Sequence, residues 1–305
     1  MRKQLSIVVT VYNGERFIAP CIDSIYRDHP ALELFEVVVV NDGSTDGSAA
    51  VIAGYASRYP NVKVVEQENR GLSEARNTGI RACGGRYIWC IDQDDWLTEG
   101  AVARVCAYGE SAGADVIDFA FEYPDGRPSA QANKAVEGRV YSGSAYLDLH
   151  LVESPVWHYC VKRSFLLEHG LFYYPVVHED TLYTPVLLFT AATVVYRCDS
   201  NYVYNFRENS LSTSLAALSH CRYLVTVMQQ LEAFRSVRCH SWSDRRIYSK
   251  YLLLAFSGVY YYGKQANRAD RRTLRRELPA GAVWRAIAYT LSVKYLIAML
   301  QLRIR

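Results

Sequence analysis

The sequence lacks the marks of several protein classes. Its eight cysteines form no CxxC pair, and the chain has no internal repeat and no low-complexity segment. The first residues, MRKQLSIVV, lack the length and the cleavage site of a signal peptide, and no apolar stretch reaches twenty uninterrupted residues. We therefore expect a cytoplasmic protein with reduced thiols, not a secreted disulfide scaffold or a membrane-spanning chain.

Charge is moderate in amount and uneven in placement. Half of the 305 residues are hydrophobic and 21% are charged, which excludes a disordered chain. Nine of the 34 basic residues and two of the 31 acidic residues lie in 268–305, so this segment carries +7 and the rest of the chain −4. The length suits one large α/β domain with an added part, or two domains.

Strand and helix patterns alternate through the first third of the chain. Leu5–Val11 and Phe35–Val40 are almost unbroken apolar runs rich in Val, which is typical of strands buried on both faces of a parallel sheet. The alternation continues through a strand at Tyr87–Ile91, a helix at Ala101–Ala112 and a strand at Val116–Phe121. This order predicts a doubly wound α/β sheet.

The pattern changes twice further along the chain. After Tyr123 it breaks into a polar stretch rich in turn residues, and from about Ser219 onward the periodicity is helical. We therefore predict a domain over 1–215 and a basic helical C-terminal region over 216–305.

Polar residues follow three of the predicted strands. The groups are Tyr12–Glu15, Asn41–Asp46 and Asp92–Asp95. Because ligands of open parallel sheets bind at the carboxyl ends of the strands, we expect these groups to line one crevice. Three carboxylates within Asp92–Asp95 repel one another unless a cation lies among them. Mg²⁺ and Mn²⁺ bind through a few carboxylates plus substrate phosphates, so the pattern predicts a metal–diphosphate site.

Another interpretation of the same residues needs no ligand. Asn, Asp, Gly and Ser favour turns and helix N-termini, so Asn41–Ser48 also fits a turn followed by a capped helix. The acidic group Asp92–Asp95 fits a solvated cap in the same way. The motifs taken singly therefore leave both interpretations open.

Four ordered motifs resemble those of a known family. They are LSIVVTVYNGERFI, VVVVNDGSTDGS, ENRGLSEARNTGIRACGGRYIWCIDQDDWL and a later HED. The chain resembles the nucleotide-sugar-dependent inverting glycosyltransferases of family 2, closely over 4–123 and loosely over 155–213. The resemblance implies a GT-A-type doubly wound mixed sheet with a helical C-terminal extension. It also implies a donor half at 1–123 and an acceptor half at 124–215.

The resemblance implies a role for each residue that matches a donor motif. Tyr12 would stack on the nucleotide base, and Asp42 would hydrogen-bond it. Arg76 would lie near the diphosphate. Asp92 and Asp94 match the D-x-D motif of the family, with Asp92 towards the ribose and Asp94 towards a bound Mg²⁺ or Mn²⁺.

Two positions depart from the family pattern. Gln93 stands where a smaller residue is frequent, and Thr10 stands where a proline is frequent. Neither departure removes a carboxylate. We expect them to affect which donor is bound, and not whether the chain is catalytic.

A second set of residues concerns the acceptor. His178, Glu179 and Asp180 precede an apolar helical run at Leu182–Phe189, which predicts an acidic pair at a helix N-terminus. The resemblance implies that Asp180 is the general base and that Glu179, His178 and Trp157 lie on the acceptor side. Helix capping by the acidic pair and a core position for Trp157 are the alternatives.

The resemblance implies transfer of one sugar from a nucleotide-sugar, a UDP-sugar, to a glycan acceptor. A lipid-linked acceptor in bacterial surface-polysaccharide assembly would fit the family, and we expect no nucleic-acid partner. A nucleotidyltransferase and a non-catalytic sugar-nucleotide-binding protein remain open as alternatives.

The basic C-terminal segment suggests a membrane contact. Five arginines precede the apolar stretch Val283–Leu302, namely Arg268, Arg271, Arg272, Arg275 and Arg276. A basic cluster beside an amphipathic helix with Trp284, Tyr289 and Tyr295 suits peripheral binding at the inner face of the membrane. The alternative is a solvated basic helix followed by a helix that packs on the protein.

Overall fold

The computed structural model describes residues 3–28, 30–129, 134–149, 154–206 and 215–301. Part of the loosely matching segment, 207–213, and the last residue of the apolar tail stretch, Leu302, lie outside the described residues.

Nine strands and twelve α-helices are found in the described residues. The strands are β1 (Leu5–Val11), β2 (Phe35–Asp42), β3 (Val62–Gln67), β4 (Tyr87–Asp92), β5 (Trp96–Leu97), β6 (Val116–Glu122), β7 (Val140–Tyr141), β8 (Tyr159–Lys162) and β9 (Val194–Val203). The helices are α1 (Ile18–Tyr26), α2 (Ser48–Arg58), α3 (Leu72–Ala82), α4 (Ala101–Ala112), α5 (Gly143–Leu149), α6 (Arg163–Glu168), α7 (Glu179–Thr190), α8 (Ala217–Arg238), α9 (Trp242–Gln265), α10 (Arg268–Glu277), α11 (Ala280–Thr290) and α12 (Val293–Gln301).

The strands form a single mixed sheet in the order β3-β2-β1-β4-β8-β6-β9-β5, with β7 paired to β9. Strands β3, β2, β1 and β4 are mutually parallel. Strand β8 runs antiparallel to both β4 and β6. The predicted doubly wound α/β sheet of mixed type is therefore confirmed.

The apolar strands are central because their side chains are buried on both faces. All seven residues of β1 are buried, and β2 is buried apart from the partly exposed Glu36. Helix α3 lies close to these strands through Gly79, where a Cβ would fall 2.3 Å from Cγ1 of Val8. This close approach places α3, and with it Arg76 and Asn77, directly on the sheet.

The described chain divides into two compact units. The sheet unit holds the described residues within Met1–Tyr146, Pro155–Pro175 and Thr190–Phe206. The helical unit holds those within Leu147–Ser154, Val176–Phe189 and Arg207–Arg305. Most of α7 thus groups with the C-terminal helices, whereas the predicted domains 1–215 and 216–305 stay a prediction.

The helical unit has its own hydrophobic core. Residues of α8, α9 and α11 supply most of it, and Leu182 of α7 also belongs to it. Helix α9 starts at a capping box, in which the Asp244 N–H donates to Ser241 Oγ at 3.0 Å and the Ser241 N–H donates to Asp244 Oδ2 at 3.3 Å. The predicted helical extension is confirmed. Among the described residues, no helix combines the length and apolarity needed to span a bilayer.

Candidate active site

The three polar groups predicted at strand ends lie on one edge of the sheet. Strand β1 runs between β2 and β4, and the three are parallel. In this register Val11 lies opposite Asn41, and Thr10 lies opposite Asp92. The carboxyl ends of the strands therefore bring Tyr12, Asp42 and Asp92 to neighbouring positions.

Tyr12 begins a turn whose backbone is held by hydrogen bonds. Its side chain is 46% exposed although it directly follows the buried strand β1. The next residue, Asn13, has φ +48, a left-handed conformation that Asn tolerates better than most residues. The Asn13 N–H donates to Ser44 Oγ at 3.0 Å, and Asn13 Oδ1 accepts the Thr45 N–H at 2.8 Å. An exposed aromatic face on a fixed backbone suits the stacking of a planar base.

Asp42 is buried and organises the loop that leads to α3. One carboxylate oxygen, Oδ1, accepts from Gln67 Nε2 at 2.6 Å and from the Arg70 N–H at 2.8 Å. The other, Oδ2, accepts the Gly71 N–H at 2.9 Å. Its observed role is therefore structural, and a hydrogen bond to a nucleotide base would be an additional one that stays a prediction.

Arg76 and Asp92 form an ion pair. Arg76 Nη2 lies 2.6 Å from Asp92 Oδ1, and the two side chains are 3% and 27% exposed. The guanidinium also lies over the ring of Tyr173, 5.4 Å from its centroid. Charge-assisted hydrogen bonds of this length are among the stronger ones in proteins. Arg76 thus brings a fixed positive charge to the acidic strand end, where an anionic diphosphate would also be stabilised.

The three carboxyl groups that follow β4 differ in environment. Asp95 is 2% exposed and accepts from the Tyr202 hydroxyl at 2.5 Å and from the Asn205 N–H at 2.7 Å. Burial, followed by the charge of Asp92, raises the pKa of Asp95 to about 8, so it is mostly protonated at neutral pH. With Asp92 paired to a cation, the repulsion expected from three ionised carboxylates is largely relieved. Asp94 stays partly exposed.

The site fits a divalent cation only together with a substrate. No group of three or more His, Cys, Asp or Glu side chains arranged to hold a metal occurs among the described residues. Mg²⁺ and Mn²⁺ in phosphate-transfer sites need only one or two carboxylates, since substrate phosphates supply further oxygen ligands. Asp94, with Asp92 beside it, fits that requirement.

Several residues that shape the site carried no recognisable signal in the sequence. Tyr202 and Asn205, which bind Asp95, lie more than a hundred residues from it. Asn77 exchanges two hydrogen bonds with the backbone of Tyr173, at 2.8 and 2.9 Å. These contacts join segments that are far apart in the sequence, so local patterns do not reveal them.

Trp157 lies in a short 3₁₀ helix, Val156–His158, of the sheet unit. Its side chain is 4% exposed and stacks on the rings of Tyr202 and Tyr204, with centroids 4.4 and 5.2 Å away. The Trp157 carbonyl accepts from Trp89 Nε1 at 2.6 Å. The structure therefore places Trp157 in the core of the sheet unit, and its role on the acceptor side stays a prediction.

The HED segment belongs to the helical unit. Helix α7 begins at Glu179, which is buried, while Asp180 is partly exposed in its first turn. His178 precedes the helix with φ +68, and its carbonyl accepts the Thr181 N–H at 3.2 Å. Acidic side chains at this position complement the helix dipole, so the predicted N-terminal placement of the acidic pair is observed.

A second histidine supports this turn. His178 Nε2 and His220 Nδ1 lie 2.9 Å apart, and the His220 ring stacks on Tyr262 with centroids 4.2 Å apart. Burial lowers the pKa of both histidines, and the neighbouring His220 lowers that of His178 further. Both rings are therefore mostly neutral near pH 7, so one can donate to the other.

Comparison with known proteins supports the same family as the motifs. The model of glycosyl transferase family 2 matches residues 6–162, just over half of the chain. The chain is also similar to the uncharacterized glycosyltransferase EpsJ of Bacillus subtilis, with 31% identity over 220 residues. That match spans 68% of this chain and 62% of EpsJ, so it covers less than two thirds of the relative's length.

Solved structures share the fold over nearly the whole chain. TarS 1–349 of S. aureus, solved in complex with UDP-GlcNAc, superposes with a TM-score of 0.75 at 17% identity, covering 98% of this chain and 91% of that one. The mannosyltransferase PcManGT of Pyrobaculum calidifontis, in complex with GDP-Man and Mn²⁺, superposes with a TM-score of 0.55 at 17% identity, covering 99% and 87%.

The likeness to these structures concerns the fold, and it confirms the predicted GT-A type. The family follows from the matching model together with the motifs, three of which lie at or near the strand ends of that fold. The chain belongs to glycosyl transferase family 2.

Proposed function

We propose that the chain is an inverting glycosyltransferase that transfers one sugar from a UDP-sugar to a glycan acceptor. One juxtaposition supports this function above all. The exposed Tyr12 ring, the buried Asp42, the Arg76–Asp92 ion pair and the partly exposed Asp94 share one edge of the sheet. The presence of UDP-GlcNAc in TarS, which has the same fold, favours a uridine nucleotide.

The proposed donor site divides the nucleotide-sugar among separate groups. Tyr12 stacks on the base, Asp42 accepts a hydrogen bond from it, and Asp92 contacts the ribose. Arg76 stabilises the diphosphate. Asp94 would hold Mg²⁺ or Mn²⁺, which would supply positive charge to offset that of the diphosphate. PcManGT, which shares the fold and was solved with Mn²⁺, makes a divalent cation reasonable.

The proposed reaction is a single displacement. An acceptor hydroxyl attacks the anomeric carbon from the face opposite the diphosphate, a C–O bond forms to the acceptor, and the bond to the diphosphate breaks. Asp180 takes the hydroxyl proton as general base, and Arg76 stabilises the nucleoside diphosphate that leaves. One displacement inverts the configuration of the anomeric carbon. In this proposal Glu179, His178 and Trp157 shape the acceptor side.

An assay of products tests this function against its alternatives. The purified chain is incubated with a panel of UDP-, GDP- and dTDP-sugars, Mg²⁺ or Mn²⁺, and candidate glycan acceptors. A glycosyltransferase releases a nucleoside diphosphate and yields an inverted linkage by NMR. Release of pyrophosphate would instead indicate a nucleotidyltransferase, and tight binding without any turnover would indicate a sugar-nucleotide-binding protein. A retained configuration would contradict the single displacement.

The helical unit supports a second proposal, that the protein binds anionic membrane surfaces and so meets a lipid-linked acceptor at the cytoplasmic face. Helix α10 exposes Arg271, Arg272, Arg275 and Arg276. Exposed apolar side chains follow in and just before α12, namely Leu291, Val293, Leu296, Ile297 and Leu300. Basic residues near an anionic leaflet contribute about 1 kcal/mol each, and exposed apolar side chains can enter the headgroup region.

The aromatic residues that the sequence suggested for the membrane contact are not among the exposed apolar residues of this segment. Trp284 and Tyr295 pack against the core of the helical unit. Leu274, Leu278 and Val283 are buried in the same core, so removal of the tail would disrupt the unit. Point substitutions at the surface are therefore the better test.

Vesicle co-sedimentation tests the membrane proposal. A variant with Arg272, Arg275 and Arg276 changed to Ala should bind anionic vesicles more weakly than the parent protein, and added salt should narrow the difference because it screens charge. The matched control changes three exposed arginines elsewhere to Ala, namely Arg58, Arg139 and Arg238. Equal binding by all three proteins, or none by any, would refute the proposal.

A further inference from the structure

We propose that Gln93 is a positioning residue that fixes the base-stacking ring of Tyr12 by binding its backbone. Gln93 is the central residue of the D-x-D motif, where a smaller residue is frequent in the family. The inference rests on the proposed function, because it takes Tyr12 as the platform for the nucleotide base.

The geometry is that of a two-point clamp. Gln93 Nε2 donates to the Tyr12 carbonyl oxygen at 3.1 Å, and Gln93 Oε1 accepts the Tyr12 N–H at 3.0 Å. Both polar groups of the Tyr12 backbone are thus bound by one side-chain amide. A side-chain amide has one donor and one acceptor that complement the C=O and N–H of a peptide group. The two bonds therefore also fix the orientation of the Gln93 amide oxygen and nitrogen.

The clamp continues a strand pairing that the backbone cannot continue. The register of β1 and β4 reaches Thr10 and Asp92, after which β4 ends. The chain then turns, with the Asp95 N–H donating to the Asp92 carbonyl at 3.3 Å. The side chain of Gln93 supplies two bonds to Tyr12 where the backbone of a longer β4 could have done so. It therefore holds Tyr12 against the acidic strand end.

The absence of a side chain at Gly14 leaves room for the Gln93 amide. A Cβ added at Gly14 would fall 2.1 Å from Gln93 Oε1, so a side chain there would displace the clamp. A Ser or Ala at 93 is too short to reach both backbone groups of Tyr12. On the other side, Asn13 is bound to Ser44 and Thr45 of the loop after β2. Tyr12 is thus held by Gln93 after β4, and its neighbour Asn13 by the loop after β2.

A fixed ring should favour the base without changing the chemistry at the sugar. Ordering the platform before the ligand arrives removes part of the entropy cost of binding. Loss of the clamp should therefore weaken binding of ligands that carry the base and raise KM for the donor. Binding of the diphosphate through Asp94 and Arg76 should change little, and so should kcat.

The test uses UDP with Mg²⁺, and inorganic pyrophosphate with Mg²⁺, in calorimetric titrations of the whole chain. Gln93→Ala should weaken UDP binding by roughly tenfold, the worth of one to two ordinary hydrogen bonds, and leave pyrophosphate binding unchanged. Gln93→Glu keeps the acceptor for the Tyr12 N–H but sets an oxygen against the Tyr12 carbonyl, so it should weaken UDP binding comparably. Gln229→Ala, at an exposed position of α8, is the matched control and should alter neither titration.

A double-mutant cycle separates positioning from direct contact with the nucleotide. If Gln93 acts through the Tyr12 ring, Gln93→Ala should cost little in a Tyr12→Ala background. Additive losses would overturn the inference, and so would an equal loss of pyrophosphate binding, since that would place the effect at the diphosphate. If the parent protein fails to bind UDP at all, the proposed function itself fails. If it binds UDP and Gln93→Ala binds equally well, only the role of Gln93 fails.

Discussion

The sheet unit and the helical unit use polar residues in contrasting ways. In the sheet unit, buried or half-buried polar side chains gather where strands end, and they bind one another and the adjoining loops, as Asp42 and Asp95 do. In the helical unit, polar residues lie mostly on exposed helix faces, and the core is aliphatic and aromatic. Two exceptions are the His178–His220 pair at the start of α7 and the ion pairs of Glu232 with Arg235 and Arg285.

This difference follows from the geometry of the two secondary structures. Parallel strands end at a common edge, so strand pairing alone brings together short polar segments that are far apart in the sequence. A helix offers such convergence only at its termini, where backbone N–H groups lack partners. We therefore expect donor binding to respond to changes in the sheet unit, and proton transfer to respond to changes at the start of α7.

The largest effect should come from Asp180→Asn in the helical unit. Loss of a general base typically lowers turnover by about 10²–10⁴, whereas affinity for UDP should stay the same. Steady-state kinetics with the identified donor and acceptor, and calorimetry with UDP, measure the two quantities. Comparable activity in the variant would leave Asp180 with a capping role only.

Asp94→Asn in the sheet unit should lower donor affinity as well as turnover. Without this carboxylate, the Mg²⁺-dependent part of UDP binding should disappear, and turnover should fall by about 10² because a cation contributes several kcal/mol to charge stabilisation. EDTA should have the same effect on the parent protein. Asp125→Asn, in an exposed turn of the sheet unit, is the control. Activity that resists EDTA but is lost in Asp94→Asn would point to direct diphosphate recognition.

A smaller effect, on stability alone, is expected for Gly79→Ala. The added methyl would fall 2.3 Å from Val8 Cγ1, so α3 must move or Val8 must repack, at a cost of about 1–3 kcal/mol. Gly54→Ala on α2 is a matched control, because its added Cβ meets no atom within 4 Å. Urea unfolding measures both variants. If Gly79→Ala were as stable as Gly54→Ala, the close approach of α3 to the sheet would be in doubt.

The smallest effect concerns the pH dependence of the helical unit. The folded chain holds the pKa of His178 and His220 below the ordinary value of 6.5, although the nearby Glu179 partly opposes this for His178. The unfolded chain thus binds more protons below that pH. The contribution of these two histidines to stability should be complete above pH 6.5 and fall as the pH drops towards the lowered folded values.

Thermal unfolding across this range measures the effect. The double variant His178→Asn, His220→Gln should lose most of the acid-induced drop, since Asn tolerates the left-handed backbone at 178 and neither new residue titrates. His240→Gln, at an exposed position, is the control. An unchanged drop in the double variant would assign the pH dependence to other groups.

Comparison of the predicted and observed helices and strands shows which of them a sequence pattern is enough to predict. Helix α4 at Ala101–Ala112 matches its predicted bounds, and β1 was predicted from its Val-rich run alone. Strands β7, β8 and β9 were not recognised in the part of the chain between Tyr123 and Ser219, because two of them are short and β9 contains polar residues. A strand is recognised from its hydrophobic pattern, and these segments are too short or too polar to show one.

The sequence by itself determined the alternation of strands and helices, the polar groups at the ends of β1, β2 and β4, and the family, because these depend on local patterns and on motif order. Only the tertiary structure decided which of these polar groups are buried and which of them pair with one another. It buries Asp95, which raises the pKa of that carboxyl to about 8, pairs Asp92 with Arg76, and places the amide of Gln93 on the backbone of Tyr12. Burial and pairing join residues from distant strands, and they exist only once the sheet has formed.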